Sequence, residues 1–364
     1  MKYLIIPHYQ VDGYLRSRPT ELAKALVGRG DEVHVLRWQE PSNKIDKIKS
    51  EFYVNSNVRH KSVTKIGFEE VHVQPSFIPV VKIYRNRKML DKLMKDEGYD
   101  FIINCNTHHF SVSEKYSSQY IYDVLDDHFS NDNNRKNWKK TRKFVVREVV
   151  SCSSVITISH ELAKIIRDLT SKEAIYIPNG VYYDEYANAL KDSDKNYSGI
   201  KTITYIGSHG WHSNLNFSIR VFKKVHDELH GNVIFKIVGP VNEKITESIS
   251  GYNIELVGSV SPNDVVDYFI NSDLGVLPFS KSPFTDNALP LKLLEYGASK
   301  VKVVSSDLNE LKNIKLPHVD LVPLDEDLWV EALIKALKND KWKDEWDATI
   351  KEYDWNQIVK NLKC

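Results

Sequence analysis

Cysteine is scarce: Cys105, Cys152 and Cys364 are the whole supply in 364 residues. They stand too far apart for a disulfide framework or for the paired spacing of a metal centre. The first two fit packing, and the last has no evident role. Long apolar runs are missing as well, so no stretch has the length to span a bilayer. The opening Met1-Lys-Tyr-Leu-Ile-Ile-Pro-His8 is too short in its apolar part for a secretory leader and reads as a first strand. A soluble, cytoplasmic protein is the expectation. Charge of one sign is also lacking: 50 Lys and Arg stand against 49 Asp and Glu, a net +1. That balance gives no pull toward nucleic acid, and an anionic membrane would have to be met by a local patch. No low-complexity tract and no repeat of solenoid period occur. The first strand is not followed by Gly-x-Gly-x-x-Gly, which disfavours a nicotinamide cofactor.

What is present is ordinary globular composition, 41% hydrophobic and 27% charged, in a chain long enough for two domains. Apolar strand runs alternate with helical spacing almost throughout, which predicts an α/β fold. Tyr3–Ile6 is a strand, the loop from His8 to Ser17 holds Gly13, Pro19–Gly28 is a helix, and Asp31–Leu36 is the next strand. Residues 40 to 75 give only weak strand signals, at Phe52–Val54 and Val71–Val73. Strands follow at Phe101–Cys105, Gln119–Val124, Val155–Ile158 and Ala174–Ile177, with Ser159 as N-cap of the helix Glu161–Leu169. The polar segment from Tyr182 to Gly199 reads as a linker. Beyond it Thr202–Ile206, Asn232–Val238 and Asn253–Val257 each run into a glycine, at Gly207, Gly239 and Gly258.

Two clusters carry candidate chemistry. Polar residues just past strand ends are where a doubly wound sheet holds its ligand. His108, His109, Asp126, Asp127 and His128 occupy such positions in the first half. In the second half the stretch from Asp286 to Ser299 places Asn287 and Pro290 before a helix, with Lys292 and Glu295 three apart on one face. Unpaired N–H groups at that helix start suit a phosphate, and a carboxylate one turn in can accept hydrogen bonds from a sugar diol. Read plainly, the same residues are a surface ion pair and loop caps.

That second stretch resembles the donor-binding signature of retaining, nucleotide-sugar glycosyltransferases (family 4 and relatives). Glu295 falls on the glutamate that in the family holds the ribose hydroxyls, while Asn287 stands where a first glutamate is usual. Pro290, Lys292, Glu295 and Tyr296 match a Pro-x-Lys-x-x-Glu-Tyr form of the motif, and Tyr122, Asp123, Asp126 and Asp127 match an accompanying Tyr-Asp-x-x-Asp-Asp segment. Arg18 with Leu22-Ala23, the Asn179-Gly-Val181 turn and the loop Gly207–Asn214 extend the likeness.

The resemblance implies two Rossmann-like, doubly wound parallel-sheet domains facing a cleft. The first would span residues 1–181 and the linker 182–200. A nucleotide-sugar domain would take 201–341, and a terminal helix over 342–364 would pack back on the first domain. The implied reaction moves a sugar from a nucleotide diphosphate donor to a hydroxyl, with retention, needing neither metal nor cofactor. Donor contacts would come from Gly207, Ser208, Asn214, Gly239, Val260, Asn287, Pro290, Leu291, Lys292 and Glu295. His108, His109, Asp126 and Asp127 would serve catalysis, and Gly13 and Arg18 the acceptor-side loop. The Arg and Lys that clamp the diphosphate in many relatives are absent from Ser208 to Asn214, which leaves that charge to Lys292. Implied partners are the donor and a glycan or lipid-linked acceptor. Basic helices at Val81–Glu97 and Arg135–Cys152 make an anionic membrane surface a candidate third. The alternatives are a non-catalytic subunit of the same fold and a nucleotide-sugar epimerase.

Overall fold

A computed structural model describes residues 1–9, 16–39, 60–64, 67–79, 81–131, 137–192, 199–241, 244–262, 264–339 and 341–362. Gly13, the strand signal at Phe52–Val54, the basic pair Arg135 and Lys136, and Cys364 lie outside them. The chain divides into two compact units: Met1–Pro178 with Val359–Cys364, and Asn179–Ile358.

The first unit is built on a sheet of eight strands: β1 (Lys2–Ile6), β2 (Glu32–Arg37), β3 (His60–Val63), β4 (Glu69–His72), β5 (Phe101–Asn104), β6 (Tyr120–Val124), β7 (Ser154–Thr157) and β8 (Ala174–Tyr176). Their order is β3-β4-β2-β1-β5-β6-β7-β8, parallel except for the edge strand β3. Central parallel strands are covered on both faces, so they read as near-continuous apolar runs, and a polar residue inside one has to be paired. All five residues of β6 are buried, as are four of the five in β1. The strand order turns back between β1 and β5, and the carboxyl ends of these two strands form the crevice of this sheet.

The second unit repeats the plan with β9 (Lys201–Ile206), β10 (Val233–Val238), β11 (Ile254–Gly258), β12 (Leu274–Leu277), β13 (Lys302–Ser306) and β14 (Val319–Val322). Every pairing is parallel in the order β11-β10-β9-β12-β13-β14, with the reversal between β9 and β12. Two cores cover its faces. One gathers Phe222, Phe235 and Trp329, and the other Phe269, Leu293, Tyr296 and Ile350. This is the doubly wound, two-domain α/β architecture expected from the sequence.

The segment read as a linker is a helix over Tyr183–Asp192, and it belongs to the second unit. Tyr183 and Tyr186 recur three residues apart and are buried in the core of that unit, with Leu190 packed alongside. Aromatic periodicity outweighs polar composition here. The Asn179-Gly-Val181 turn is held by the tail: Val181 and Tyr353 pair through the backbone, and a Cβ on Gly180 would come within 2.6 Å of the Ile358 side chain. Residues 342–358 therefore pack in the second unit. Only the last turn, Val359–Asn361, joins the first, where Arg29 Nη1 donates to the carbonyls of Val359 and Leu362 at 2.7 and 3.2 Å.

Candidate functional site

In the first unit, the ends of β1, β5 and β6 enclose a cavity of about 340 Å³. His108, His109, Asp126 and Asp127 all line it, together with His8, Tyr9, His128 and Trp138. The structure thus gathers all four of these predicted residues at one cavity, and they differ in what holds them. Asn106 organises the first loop: its Oδ1 accepts from the backbone N–H of His108, His109 and Phe110 at 3.0, 2.7 and 3.3 Å. Its Nδ2 donates to the carbonyl of Pro7 at 3.2 Å, which ties the end of β5 to the end of β1. Asp127 is buried, and its Oδ1 accepts from Phe129 and Ser130 N–H at 2.8 Å each. That carboxylate shapes its own loop. Asp126 is half-buried, and its charge joins burial in raising the Tyr9 phenol.

Arg18 lies beneath this cavity, 4% exposed. Its guanidinium grips Asp123 through Nε and Nη2 at 2.9 and 3.2 Å, and Nη1 donates to the Pro178 carbonyl at 2.8 Å. A buried, two-pronged ion pair of this kind holds geometry, because removing either partner strands a charge. The Cys105 thiol donates to the same carboxylate at 3.7 Å, and burial keeps it protonated. His8 is the residue the sequence reading passed over. It sits edge-on to Tyr9 with ring centroids 3.9 Å apart, and burial draws its imidazole down to about 4, so it is neutral near pH 7.

In the second unit the strand ends carry glycines for a steric reason. Gly207 and Gly239 have φ of 151° and 127°, and a Cβ on Gly239 would stand 1.9 Å from the Gly207 carbonyl oxygen. Gly239 N–H in turn donates to the Gly258 carbonyl at 2.7 Å. Three adjacent strand ends thus present bare backbone along one rim. Beyond Gly207, Ser208 is exposed and His209 is fully buried, tilted over Tyr205 at 4.6 Å. Burial holds the His209 imidazole near 4. Asn214, in the left-handed region at φ 53°, starts the helix Leu215–Glu228 without a side-chain cap. His212 hydrogen-bonds the Ser280 N–H through its carbonyl at 2.9 Å, which joins this loop to the one after β12. Val260 is half-buried against the core.

The helix Leu291–Ala298 has Pro290 at its N-cap, and Leu291 and Lys292 are half-buried in its first turn. Glu295 is 4% exposed and already engaged: Lys292 Nζ lies 3.0 Å from Oε2, and Tyr186 OH donates to Oε1 at 2.9 Å. Lys292 also lies 5.5 Å above the Phe269 ring. Tyr296 points the other way, donating to the Thr204 carbonyl at 2.6 Å, and a Cβ on Gly275 would touch its ring at 2.8 Å. It anchors the helix to the sheet. From behind, His318 Nε2 meets the Leu293 carbonyl at 2.8 Å, and Asn179 Nδ2 donates to the Leu289 carbonyl at 2.7 Å. Asn287, buried, closes the short helix Pro283–Asp286 in front of Pro290. Nothing in the sequence pointed to Tyr186 as the partner of Glu295. Asn106, by contrast, was readable as a turn-forming Asn just past a strand.

Residues 200–339 match the model of the glycosyl transferases group 1. A stretch of 115 residues is 25% identical to TuaH of Bacillus subtilis (strain 168), by name a candidate teichuronic acid biosynthesis glycosyltransferase. That match spans 30% of this chain and 29% of the relative. The fold as a whole is similar to WaaG, a glycosyltransferase involved in lipopolysaccharide biosynthesis, with a TM-score of 0.67 at 14% identity over 100% of this chain and 98% of that one. It is equally similar to a trehalose-6-phosphate protein from E. coli solved with UDP-2-fluoro glucose, at TM-score 0.68 and 10% identity, with the same coverage of 100% and 98%.

Proposed function

From a chain with the two-domain B-type glycosyltransferase fold and a group 1 glycosyl transferase domain at residues 200–339, we propose a transferase that moves a sugar from a nucleotide diphosphate donor to a hydroxyl, with retention. The observation that carries this reading is the glycine rim at Gly207, Gly239 and Gly258. Bare strand ends let a nucleotide approach the backbone closely, at the place where doubly wound sheets hold ligands. The nucleotide sugar bound in the similar E. coli structure favours the same donor class.

In this reading the ribose hydroxyls donate to Glu295, and Lys292 is drawn toward the diphosphate. Asn287 and Ser208 reach the transferred part of the donor. Leaving-group charge is met by the N-termini of helices Leu215–Glu228 and Leu291–Ala298 and by Lys292, without a metal ion. His108, His109 and Asp126 act on the sugar side in the first unit, while Asp127 and Arg18 keep that cavity in shape. The acceptor is a glycan or a lipid-linked precursor of cell-envelope polysaccharide, handled on the cytoplasmic side. The basic face of helix Lys82–Glu97 is offered as a contact for anionic headgroups.

Incubation of the full chain with a panel of radiolabelled nucleotide sugars and crude acceptor extract tests the reading. Labelled product with the anomeric configuration of the donor is expected. Isomerised donor would point to an epimerase instead, and no turnover of any donor would point to a non-catalytic subunit.

A further inference from the structure

Helix Glu326–Lys338 packs one face into the core of the second unit and leaves the other to solvent. Trp329, Val330, Leu333, Ala336 and Leu337 are buried, whereas Asp327, Leu328, Glu331, Lys335 and Lys338 are exposed. The exposed residues recur at spacings of three and four, so they form one stripe. Charge along the stripe is ordered, with Asp327 and Glu331 toward its start and Lys335 and Lys338 toward its end. The helix dipole favours that order. It gives no reason for Leu328, 46% exposed at the acidic end. Beside the stripe runs an open groove of about 590 Å³, lined by Val330 and Ile334 of this helix and by Lys224 and Glu228 of helix Leu215–Glu228.

The start of the helix spends its charge within the chain: Glu326 pairs with Arg220 at 2.7 Å, and Asp327 with Lys224 at 2.9 Å. Glu331, Lys335 and Lys338 take part in no ion pair among the described residues, although Glu331 and Lys335 stand one turn apart. A stripe of this kind complements itself when turned end over end. A two-fold axis midway between Glu331 and Lys335 lays the helix antiparallel on that of a second copy. Each Glu331 then faces the other copy's Lys335, at the 8–10 Å or so that separates packed helix axes. Each Leu328 faces the other copy's Lys338, whose methylene stem covers it. A parallel two-fold pairing would instead set like charge on like. Nucleic acid and anionic lipid are disfavoured as occupants, because Asp327 and Glu331 lie in the same stripe.

We infer that helix Glu326–Lys338 is a self-association surface, on which two copies of this chain pair antiparallel through reciprocal Glu331–Lys335 ion pairs. Leu328 is the apolar contact that the pairing covers. One helix and the edge of one groove from each copy make a small interface, so the dimer is weak and salt-sensitive rather than obligate. This holds whatever reaction the chain performs.

Sedimentation velocity of the full chain over a dilution series at low salt tests this by charge exchange. Wild type should pass from monomer to dimer as concentration rises, and added salt should move it back. Glu331→Lys alone and Lys335→Glu alone should each weaken dimerisation about tenfold or more, because a two-fold contact meets every reversed charge twice. The double variant Glu331→Lys/Lys335→Glu should recover most of the wild-type dimer. An equimolar mixture of the two single variants should form a heterodimer that neither forms alone. Both positions are exposed, so circular-dichroism melts of all variants should stay near wild type and exclude misfolding as the cause. A wild-type chain that stays monomeric across the series would overturn the inference. So would a dimer indifferent to the single reversals, which would place its contact elsewhere, or failure of both the double variant and the mixture to recover it.

Discussion

At the scale of single residues, the structure ranks side chains that the sequence could only place together. Asp126 and Asp127 are neighbours in the chain and both line the cavity, and the Asp127 carboxylate also closes a turn. Asp127→Ala is expected to cost about 1–3 kcal/mol of stability, since it strands two N–H groups. Urea unfolding of the variant checks this. Gly239→Ala is predicted to be severe, because the added Cβ stands 1.9 Å from the Gly207 oxygen at a φ of 127°. A loss of roughly 2–4 kcal/mol, visible as a shifted denaturation midpoint, is the expected outcome. Three of the described histidines contribute to the response to acid. His8, His209 and His318 each sit near 4 in the folded chain, against an ordinary value of 6.5, chiefly because burial disfavours the charged ring. The unfolded chain binds more protons than the folded one between those values, so stability is complete above about 6.5 and is lost as pH falls toward 4. For the fully buried His318 this amounts to roughly 3 kcal/mol at the lower limit. In His318→Gln the fall in melting temperature between pH 6.5 and 4 should be shallower than in wild type, and an unchanged slope would refute the assignment.

At the scale of elements, the helix Leu291–Ala298 is the best-supported piece of the second unit. Tyr296 and His318 hold it from the sheet side, and Asn179 holds the loop before it. Helix Tyr183–Asp192 contributes Tyr186 to Glu295. Tyr186→Phe should destabilise the chain by about 1–3 kcal/mol and loosen donor binding without touching the donor, because it leaves Glu295 Oε1 buried with one partner fewer. Calorimetric melting with and without nucleotide distinguishes the two effects. This coupling was not legible in the sequence, where the two residues lie 109 positions apart and Tyr186 stands in a stretch that read as linker. What was legible were features with local physical signatures. Central strands such as β1 are apolar from Tyr3 to Ile6, glycines mark the strand ends, and Pro290 marks a helix start. The basic helix Lys82–Glu97 was legible too, and its surface bears Tyr84, 61% exposed under Lys88 at 4.6 Å, while Asp91 pairs with Lys115 at 3.2 Å. At about 1 kcal/mol for each basic residue near an anionic surface, co-sedimentation with anionic liposomes should appear at low salt and vanish at high salt. Absence of pelleting at low salt would contradict the membrane proposal.

At the scale of the whole molecule, two sheets of the same winding offer two carboxyl-end crevices with different chemistry. One is lined by histidine, carboxylate and aromatic groups, and the other by glycine backbone and a Lys–Glu pair at a helix start. Under the proposed reaction the second crevice would take the charged nucleotide donor. The alternation of strands and helices made the fold readable from the sequence, and the motif order singled out the candidate donor side. The partners of each polar group were not, because hydrogen bonds such as Arg18 to Asp123 and Asn106 to Pro7 join residues 105 and 99 positions apart. Among the described residues no helix is long and apolar enough to cross a membrane. The most direct test of the account is calorimetric titration of a panel of nucleoside diphosphates into wild-type protein and Glu295→Ala. The account predicts that wild type binds at least one nucleotide and that the folded variant binds it more weakly by roughly 1.5–3 kcal/mol, about 10- to 150-fold. Wild-type affinity in folded Glu295→Ala, or no nucleotide bound by either protein, would contradict it.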